Sequence, residues 1–325
     1  MSYKKVKTIY LHIGVGKTGT SSIQKFLSEH HSTLLAAGTR YVEAGGGMTG
    51  GGHQTIAKSC IREIPDYMVL EGDPEADGAA ILSELESNDQ QTFVLSSENF
   101  PLADPLLVRQ FFESNGHEYS FRIVLFVRSQ DELLESEYNQ FIKAKVETCT
   151  LEEYAKSLFN GDFMRLAAYW GEVFGDENLL CRLYDASHNV AIREFLGCLP
   201  ITNRDSRALQ SADNILLNKS LGASRLVNKY FENQRDSGIG EVTRAIETES
   251  IIDRGLPAVL MDSAAAARFR HKFRESNRLF SERYLGRCLV DLGGRRFSDQ
   301  QREKYYRQWN HLLETEIFAQ KSPLV

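Results

Sequence analysis

The sequence has few of the features that mark secreted, zinc-binding or membrane-spanning proteins. Its 325 residues include five cysteines, odd in number and without C-x-x-C spacing, which argues against a disulfide framework and against a zinc site. No apolar run is long enough to span a bilayer, and residues 1–7 lead straight into a strand-like segment without a signal sequence. These absences predict a cytoplasmic protein with no transmembrane segment.

An excess of positive charge is also missing. The formal net charge of −6 argues against general nucleic-acid binding, although the charge is unevenly distributed. Residues 63–118 contain 13 acidic residues against one arginine, which is typical of solvated helix faces, whereas residues 264–296 contain nine basic residues against three acidic ones. The basic part is either another solvated face or a surface for an anionic donor or glycan.

The segment from Lys7 to Leu27 changes its hydrophobic period in the middle. Residues 8–13 form a short, mostly apolar run that predicts a strand, and Ile23, Phe26 and Leu27 recur at helical spacing. The helix is therefore expected to begin between residues 18 and 21. The loop between the two elements reads GVGKTGTSS over residues 14–22.

A strand that turns directly into a helix points unpaired backbone N–H groups and the positive end of the helix dipole at one place. Glycines let the backbone approach a ligand closely, Lys17 adds a positive charge, and hydroxyls add donors. The residues expected to bind an anion are Gly16, Lys17, Thr18, Gly19, Thr20, Ser21 and Ser22. The loop is thus predicted to hold a phosphate or a sulfate.

Two families of nucleotide-binding proteins have a glycine-rich loop of this kind between a strand and a helix. The nucleotide-triphosphatase pattern requires a glycine five residues before Gly16, where this chain has Leu11. The dinucleotide fingerprint G-x-G-x-x-G is met by Gly14, Gly16 and Gly19, with Glu43 near the place of the ribose-binding acid. An NAD(P)-dependent oxidoreductase therefore stays open as an alternative, although the polar residues 20–22 favour a site for oxyanions.

A second segment also suits a phosphate. Residues 120–127 form the most continuous apolar run of the chain, which predicts a strand buried on both faces. The run ends in Arg128, and Ser136 follows eight residues later, opposite the apolar stripe of the next predicted helix. A guanidinium and a hydroxyl in these positions can bind one phosphate together.

Both segments resemble the sulfotransferases that use 3′-phosphoadenosine 5′-phosphosulfate (PAPS), and their amino-acid sequences are most similar to those of the bacterial branch of that family. Residues 17–22 resemble the 5′-phosphosulfate loop, and Arg128 with Ser136 resembles the 3′-phosphate motif. The resemblance implies PAPS as donor, PAP as product, a hydroxyl acceptor such as a carbohydrate, and no metal. The segment Gly293-Gly294-Arg295-Arg296 is the nearest candidate for the basic C-terminal segment of the family, which it does not reproduce.

In-line transfer to a hydroxyl requires a cation at the leaving phosphate, a role expected of Lys17, and a general base. His53 follows a glycine-rich loop, and Glu98 ends the apolar run that begins at Thr92. The resembled family uses either a histidine or a glutamate as base. We expect His53 to be the base ahead of Glu98, because an unperturbed histidine accepts a proton near neutral pH.

The alternation of strand-like and helix-like segments predicts an α/β fold, a three-layer sandwich with a mostly parallel central sheet. Residues 1–200 are expected to form the PAPS-binding core, and residues 201–325 a helical region packed on it within one continuous domain. Helices are predicted at residues 212–232, 241–252, 264–284 and 298–314. A non-catalytic nucleotide-binding protein of the same fold is a further alternative.

Overall fold

The computed structural model describes residues 6–49, 52–65, 68–70, 72–143, 149–185, 190–201, 259–292 and 298–312. The chain divides into two compact units. Unit 1 takes its residues from the ranges 1–128, 162–217 and 275–294, and unit 2 from the ranges 129–161, 218–274 and 295–325. The predicted division near residue 200 stays a prediction, because residues 202–258 lie outside the described part. The predicted helices at 212–232 and 241–252, and the segment 293–296, also lie outside it.

Unit 1 is built on a five-stranded sheet. Its strands are β1 (Lys7–Gly14), β2 (Thr39–Tyr41), β3 (Thr92–Ser96), β4 (Tyr119–Val127) and β5 (Leu179–Leu183). The order across the sheet is β2-β3-β1-β4-β5, and every neighbouring pair is parallel. The central strands are buried on both faces, as their continuous apolar runs predict.

The helices of unit 1 connect these strands. They are α1 (Thr20–Glu29), α2 (His31–Ala36), α3 (Gln54–Ser59), α4 (Pro74–Ser87), α5 (Pro105–Glu113), α8 (Phe163–Phe174), α9 (Val190–Leu196) and α11 (Arg274–Leu285, of which residues 275–285 belong to this unit). Short 3₁₀ turns span Phe100–Leu102 and Ala44–Thr49, and the latter is interrupted where Gly45 and Gly46 adopt positive φ. The sequence interpretation described the glycine-rich segment only as a loop, so the 3₁₀ turn at Ala44–Thr49 is a difference from it.

Helices cover both faces of the sheet. Val124 and Phe126 of β4 pack in one apolar cluster with Phe26 of α1 and Phe195 of α9. On the opposite face, the Phe121 ring contacts the rings of two helices, Phe112 of α5 at 5.6 Å and Phe174 of α8 at 5.0 Å. Because alternate residues of one strand point to opposite faces, these contacts place α1 and α9 on one side and α5 and α8 on the other. The predicted three-layer α/β fold class is confirmed.

Unit 2 is helical. It contains α6 (Gln130–Lys143), α7 (Leu151–Ser157), α10 (Ser263–His271) and α12 (Asp299–Leu312). Two buried carboxylates one turn apart on α6 bind buried arginines: Asp131 contacts Arg270 at 2.6 Å, and Glu135 contacts Arg302 at 2.7 Å. Each charge thus has an opposite charge within hydrogen-bond distance, which offsets the cost of removing it from water. This network attaches α6 to helices from the C-terminal part of the chain.

The predicted helix over residues 264–284 is two helices. α10 ends at His271, and the N–H groups of Lys272 and Phe273 bond three residues back, to Phe269 and Arg270, as in a 3₁₀ turn. Helix α11 then begins at Arg274. Within the described ranges, no helix is long and apolar enough to cross a membrane.

Candidate active site

The carboxyl ends of the neighbouring strands β1 and β4 lie where the direction of the strand connections reverses. The chain leaves β1 toward β2 on one side of the sheet and leaves β4 toward β5 on the other side. Parallel sheets form a ligand crevice where neighbouring strands are followed by connections in opposite directions. The loop at residues 14–19 follows β1, and Arg128 follows β4, so both predicted anion-binding segments begin at this point.

The loop backbone alternates in handedness. Lys17 has φ 61° and Gly19 has φ 85°, whereas Thr18 between them is not in the positive-φ region. Such alternation turns successive N–H groups toward one side and forms a concave nest for an anion. A left-handed lysine costs about 1–3 kcal/mol, a type of strain that concentrates at functional sites.

Helix α1 begins directly after this loop and has no side-chain cap. Its N-cap residue is Gly19, and its first turn carries no acidic residue. Other helices of unit 1 are capped by aspartate side chains, for example Asp73 on α4, Asp104 on α5 and Asp162 on α8. The amide groups at the start of α1 thus lack the side-chain acceptor that those helices have, and an anionic ligand would supply one.

The hydroxyls of the loop do not all face outward. Thr18 and Thr20 are buried, and their hydroxyls donate to the Val15 carbonyl at 2.5 Å and 3.5 Å. Their predicted contribution to anion binding therefore rests on their backbone N–H groups. Ser21 is exposed and Ser22 is partly exposed.

Arg128 lies against the loop. Its Nη1 donates to the Lys17 carbonyl at 2.9 Å, and its guanidinium carbon lies 5.2 Å from the centre of the Tyr184 ring. A β-carbon added to Gly19 would lie 3.2 Å from the same ring. Arg128, Tyr184 and the loop are thus in mutual contact. Ser136, the other residue of the predicted 3′-phosphate motif, is partly exposed on α6 of unit 2, and its role stays a prediction.

Tyr184 also borders a cavity of about 560 Å³, whose lining includes Cys181, Arg182 and Leu183 of β5. The cavity lining includes Tyr284 of α11 and Glu194 of α9. Aromatic rings can stack on a flat heterocycle and carboxylates can accept hydrogen bonds from an exocyclic amine, and the volume is typical of small-molecule sites. The sequence interpretation missed Tyr184, which is a polar aromatic directly after a strand at the ligand edge of the sheet.

Glu98 stands beside the anion loop. A β-carbon on Gly16 would lie 4.0 Å from Glu98 Oε2, and one on Gly14 would lie 3.5 Å from the Glu98 Cα. The side chain is partly exposed, which leaves its carboxylate accessible. The structure therefore brings Glu98, Lys17 and Arg128 to one region of unit 1.

His53 has a different environment. Its side chain is 0% exposed, Nδ1 accepts a hydrogen bond from the Ser96 N–H at 3.1 Å, and Nε2 lies 3.1 Å from the Val42 carbonyl. A ring nitrogen that accepts from an N–H carries no proton, so the proton sits on Nε2 and is donated to Val42. Burial lowers the pKa of His53 to about 4. Both nitrogens are engaged with backbone, and the ring has no solvent-facing atom with which to take an acceptor proton.

A buried polar network lies under the loop. His12 of β1 approaches the Ser96 hydroxyl with Nδ1 at 2.8 Å, and Gln24 of α1 donates to the same hydroxyl at 3.2 Å. Burial lowers the pKa of His12 to about 3. These groups connect β1, β3 and α1 directly beneath the residues that bear the candidate site.

The sheet order does not suit the dinucleotide alternative. In the dinucleotide-binding fold the second strand lies next to the first, so its terminal acid reaches the ribose. Here β3 separates β2 from β1, which places the strand preceding Glu43 two strand spacings, roughly 10 Å, from β1. The Glu43 carboxylate instead binds Arg40 at 2.7 Å and lies 2.9 Å from His31. In the part of the chain that the structure describes, no group of acidic, histidine or cysteine side chains is arranged to hold a metal ion.

Comparison with known proteins gives only distant likenesses. No protein-family model and no curated protein matches this sequence. Among solved structures, the chain is similar to a sulfotransferase from Alicyclobacillus acidocaldarius, with 14% identity over 74% of this chain and 96% of that chain and a TM-score of 0.39. It is also similar to the mouse sulfotransferase SULT7A1 complexed with PAP, with 15% identity over 86% of this chain and 85% of that chain and a TM-score of 0.37. At such identities and TM-scores, neither likeness determines how this chain acts.

Proposed function

We propose that this protein is a sulfotransferase that moves a sulfuryl group from PAPS to an acceptor hydroxyl. The observation that carries the proposal is the loop at residues 14–19, whose alternating backbone opens into a helix without a side-chain cap, next to Arg128. Backbone N–H groups, a lysine and an arginine around one point suit a ligand with more than one oxyanion. The two sequence motifs support assigning the 5′-phosphosulfate to residues 16–22 and the 3′-phosphate to Arg128, while the role of Ser136 stays a prediction.

In this proposal the nucleoside of the donor occupies the cavity beside Tyr184. Tyr184 contacts both Arg128 and the position of a side chain at Gly19, so a molecule whose phosphates occupy the loop has its base within reach of this cavity. The rings of Tyr184 and Tyr284 suit an adenine.

In the proposed reaction the acceptor oxygen attacks sulfur while the bond from sulfur to the 5′-phosphate oxygen breaks in line. Negative charge then develops on the leaving phosphate, where Lys17 and the N–H groups at the start of α1 stabilise it, and PAP leaves. The acceptor proton passes to a general base. No metal-bound step is required in this scheme.

We assign the base to Glu98 instead of His53. The Glu98 carboxylate lies beside Gly16, where the sulfuryl group would sit, and it is accessible. His53 is fully buried with both ring nitrogens bonded to backbone, which supports a structural role. The order expected from the sequence, His53 ahead of Glu98, is therefore reversed in this proposal.

A ligand-stabilisation experiment separates the alternatives. PAP at about 100 times its dissociation constant should stabilise the protein by roughly 2.7 kcal/mol, while NADPH at the same concentration should leave the melting temperature unchanged. Stabilisation by NADPH alone would favour the dinucleotide alternative. PAP binding without release of PAP from PAPS, across phenol and sugar acceptors, would favour a non-catalytic nucleotide-binding protein.

A further inference from the structure

The turn that carries Glu98 is bonded on both sides by one side chain, that of Gln54. Gln54 Oε1 accepts a hydrogen bond from the Ser97 hydroxyl at 2.6 Å and another from Asn99 Nδ2 at 2.7 Å. The Asn99 N–H in turn donates to the Ser97 hydroxyl at 3.1 Å. The residues before and after Glu98 are thus joined through a single amide oxygen from a segment 43 and 45 residues away in sequence.

His53, the preceding residue, fixes Gln54 to the sheet. The His53 N–H donates to the Ser96 carbonyl at 2.8 Å, and the Ser96 N–H donates to the His53 ring. This pair of bonds joins the residue before α3 to Ser96, the last residue of β3, so the first residue of α3 arrives at the turn in a defined position. This arrangement requires a neutral His53 ring, because Nδ1 accepts the hydrogen bond from the Ser96 N–H and so cannot carry a proton.

Among the residues that the structure describes, none bonds the Glu98 carboxylate itself, so its placement beside Gly16 depends on the backbone of residues 97–99. Bond rotation within residues 97–99 would move the carboxylate away from the loop. A displacement of about 1 Å at a reacting group can cost about a hundredfold in rate. The bonds to Gln54 therefore act on the property that a general base needs most, its distance from the acceptor hydroxyl.

We infer that Gln54 is a positioning residue that holds the Glu98 turn, and His53 the residue that holds Gln54. The inference rests on the proposed function for its catalytic consequence, while its structural content stands on the hydrogen bonds alone. The bonds from Gln54 to Ser97 and Asn99 involve neither the anion loop nor the donor. Its loss should change turnover and leave donor binding intact.

Two substitutions at Gln54 separate the effect of losing the hydrogen-bond acceptor from the effect of changing the size of the side chain. Gln54→Met keeps the length of the side chain and removes the oxygen, whereas Gln54→Glu keeps an oxygen that can accept from both Ser97 and Asn99. With PAPS as donor and phenol as acceptor, Gln54→Met should lower the rate of PAP release by about tenfold to a hundredfold, with the dissociation constant for PAP within twofold of wild type. Gln54→Glu should recover most of the rate. Gln91→Met, the same change near the other end of β3, is the matched control and should leave the rate unchanged.

A double-mutant cycle and amide exchange make the test specific. If Gln54 acts through Glu98, Gln54→Met should add no further loss to Glu98→Gln, and additive losses would overturn the inference. Hydrogen exchange at the amides of residues 97–99 should accelerate in Gln54→Met and not in Gln54→Glu, a readout that requires no turnover. Unchanged exchange would overturn the inference even if the protein is a sulfotransferase. Failure of the wild-type protein to bind PAP would overturn the proposed function instead, and the exchange result would still decide the role of Gln54.

Discussion

Replacement of Arg128 by alanine should affect two parts of the donor site by different amounts. Its Nη1 bonds the Lys17 carbonyl at 2.9 Å and so supports a lysine held at φ 61°, and its guanidinium packs on the Tyr184 ring. Loss of these contacts loosens the loop for any ligand with a 5′-phosphate. In the proposed function the same side chain also binds the 3′-phosphate, which only PAP carries.

The expected magnitudes follow from the kinds of bond. A charge-assisted hydrogen bond contributes about 1.5–3 kcal/mol, which corresponds to a tenfold to 150-fold loss of affinity. This loss applies to PAP and not to adenosine 5′-monophosphate (AMP). The contacts with Lys17 and Tyr184 contribute to both ligands, at about 1 kcal/mol, or roughly fivefold. Arg128→Ala should therefore weaken PAP binding by roughly 50-fold or more and AMP binding by roughly fivefold.

Isothermal titration calorimetry of both ligands against wild type and Arg128→Ala measures the difference directly. Arg122→Ala is the matched control, because Arg122 lies on the same strand and bonds the Asn178 side chain within unit 1. It should leave both affinities within about twofold. Equal losses of PAP and AMP affinity in Arg128→Ala would show that Arg128 only supports the loop, and the assignment of the 3′-phosphate to it would be refuted.

Three further predictions concern the base, the buried histidines and the loop. Glu98→Gln should lower PAP release from PAPS by about a hundredfold or more at unchanged PAP affinity, whereas His53→Gln should lower the melting temperature and, through Gln54, reduce PAP release by a smaller factor. A larger loss of rate in His53→Gln than in Glu98→Gln would return the base to His53. The free energy of unfolding should fall as pH drops below 6.5, because both histidines take up protons in the unfolded chain but stay neutral in the folded protein, where the pKa is about 4 for His53 and about 3 for His12. Denaturant titrations should show a loss of about 2 kcal/mol from each histidine between pH 7 and pH 5. In His53→Gln the loss should be smaller by the contribution of that one histidine. An absence of this slope would contradict the burial of both rings. Gly19→Ala should lower both the melting temperature and the affinity for PAP, because the added β-carbon would lie 3.2 Å from Ala191 and from Tyr184. The control is Gly38→Ala, at a similar φ but with no neighbour within 4 Å of the added β-carbon. It should lose only about 1–2 kcal/mol of stability from the unfavourable backbone conformation and should bind PAP normally.

Local patterns in the sequence predicted the elements that bear the site. The apolar runs at residues 8–13 and 120–127 are buried strands, and the loop with its helix follows the first of them as predicted. These features depend on periodicity within about ten residues, which a single sequence records directly. The same reasoning placed Glu98 and Arg128 near strand ends, and in the structure β3 ends at Ser96 and β4 at Val127.

Long-range pairings were not predictable in the same way. The position of β2 outside β3, which separates Glu43 from β1, is set by contacts between strands that are distant in sequence. His53 follows a glycine-rich segment, which suggests a mobile base, but Ser96 and Val42 supply backbone partners that enclose its ring. The break between α10 and α11 falls inside a continuous helical pattern, because two residues at Lys272 and Phe273 turn with 3₁₀ bonds. For β2 and for His53, the deciding partners are distant in sequence and lie outside the local pattern.

The most direct test of the account follows the sulfuryl group itself. Purified protein is incubated with PAPS labelled at sulfur, together with phenol and sugar acceptors, and PAP and the labelled products are quantified against Glu98→Gln. The account predicts that the wild-type protein releases one PAP for each label transferred to an acceptor hydroxyl, and that Glu98→Gln binds PAP normally but transfers about a hundredfold more slowly. Intact PAPS in the presence of saturating wild-type protein and the full acceptor panel would contradict the assignment of sulfotransferase activity.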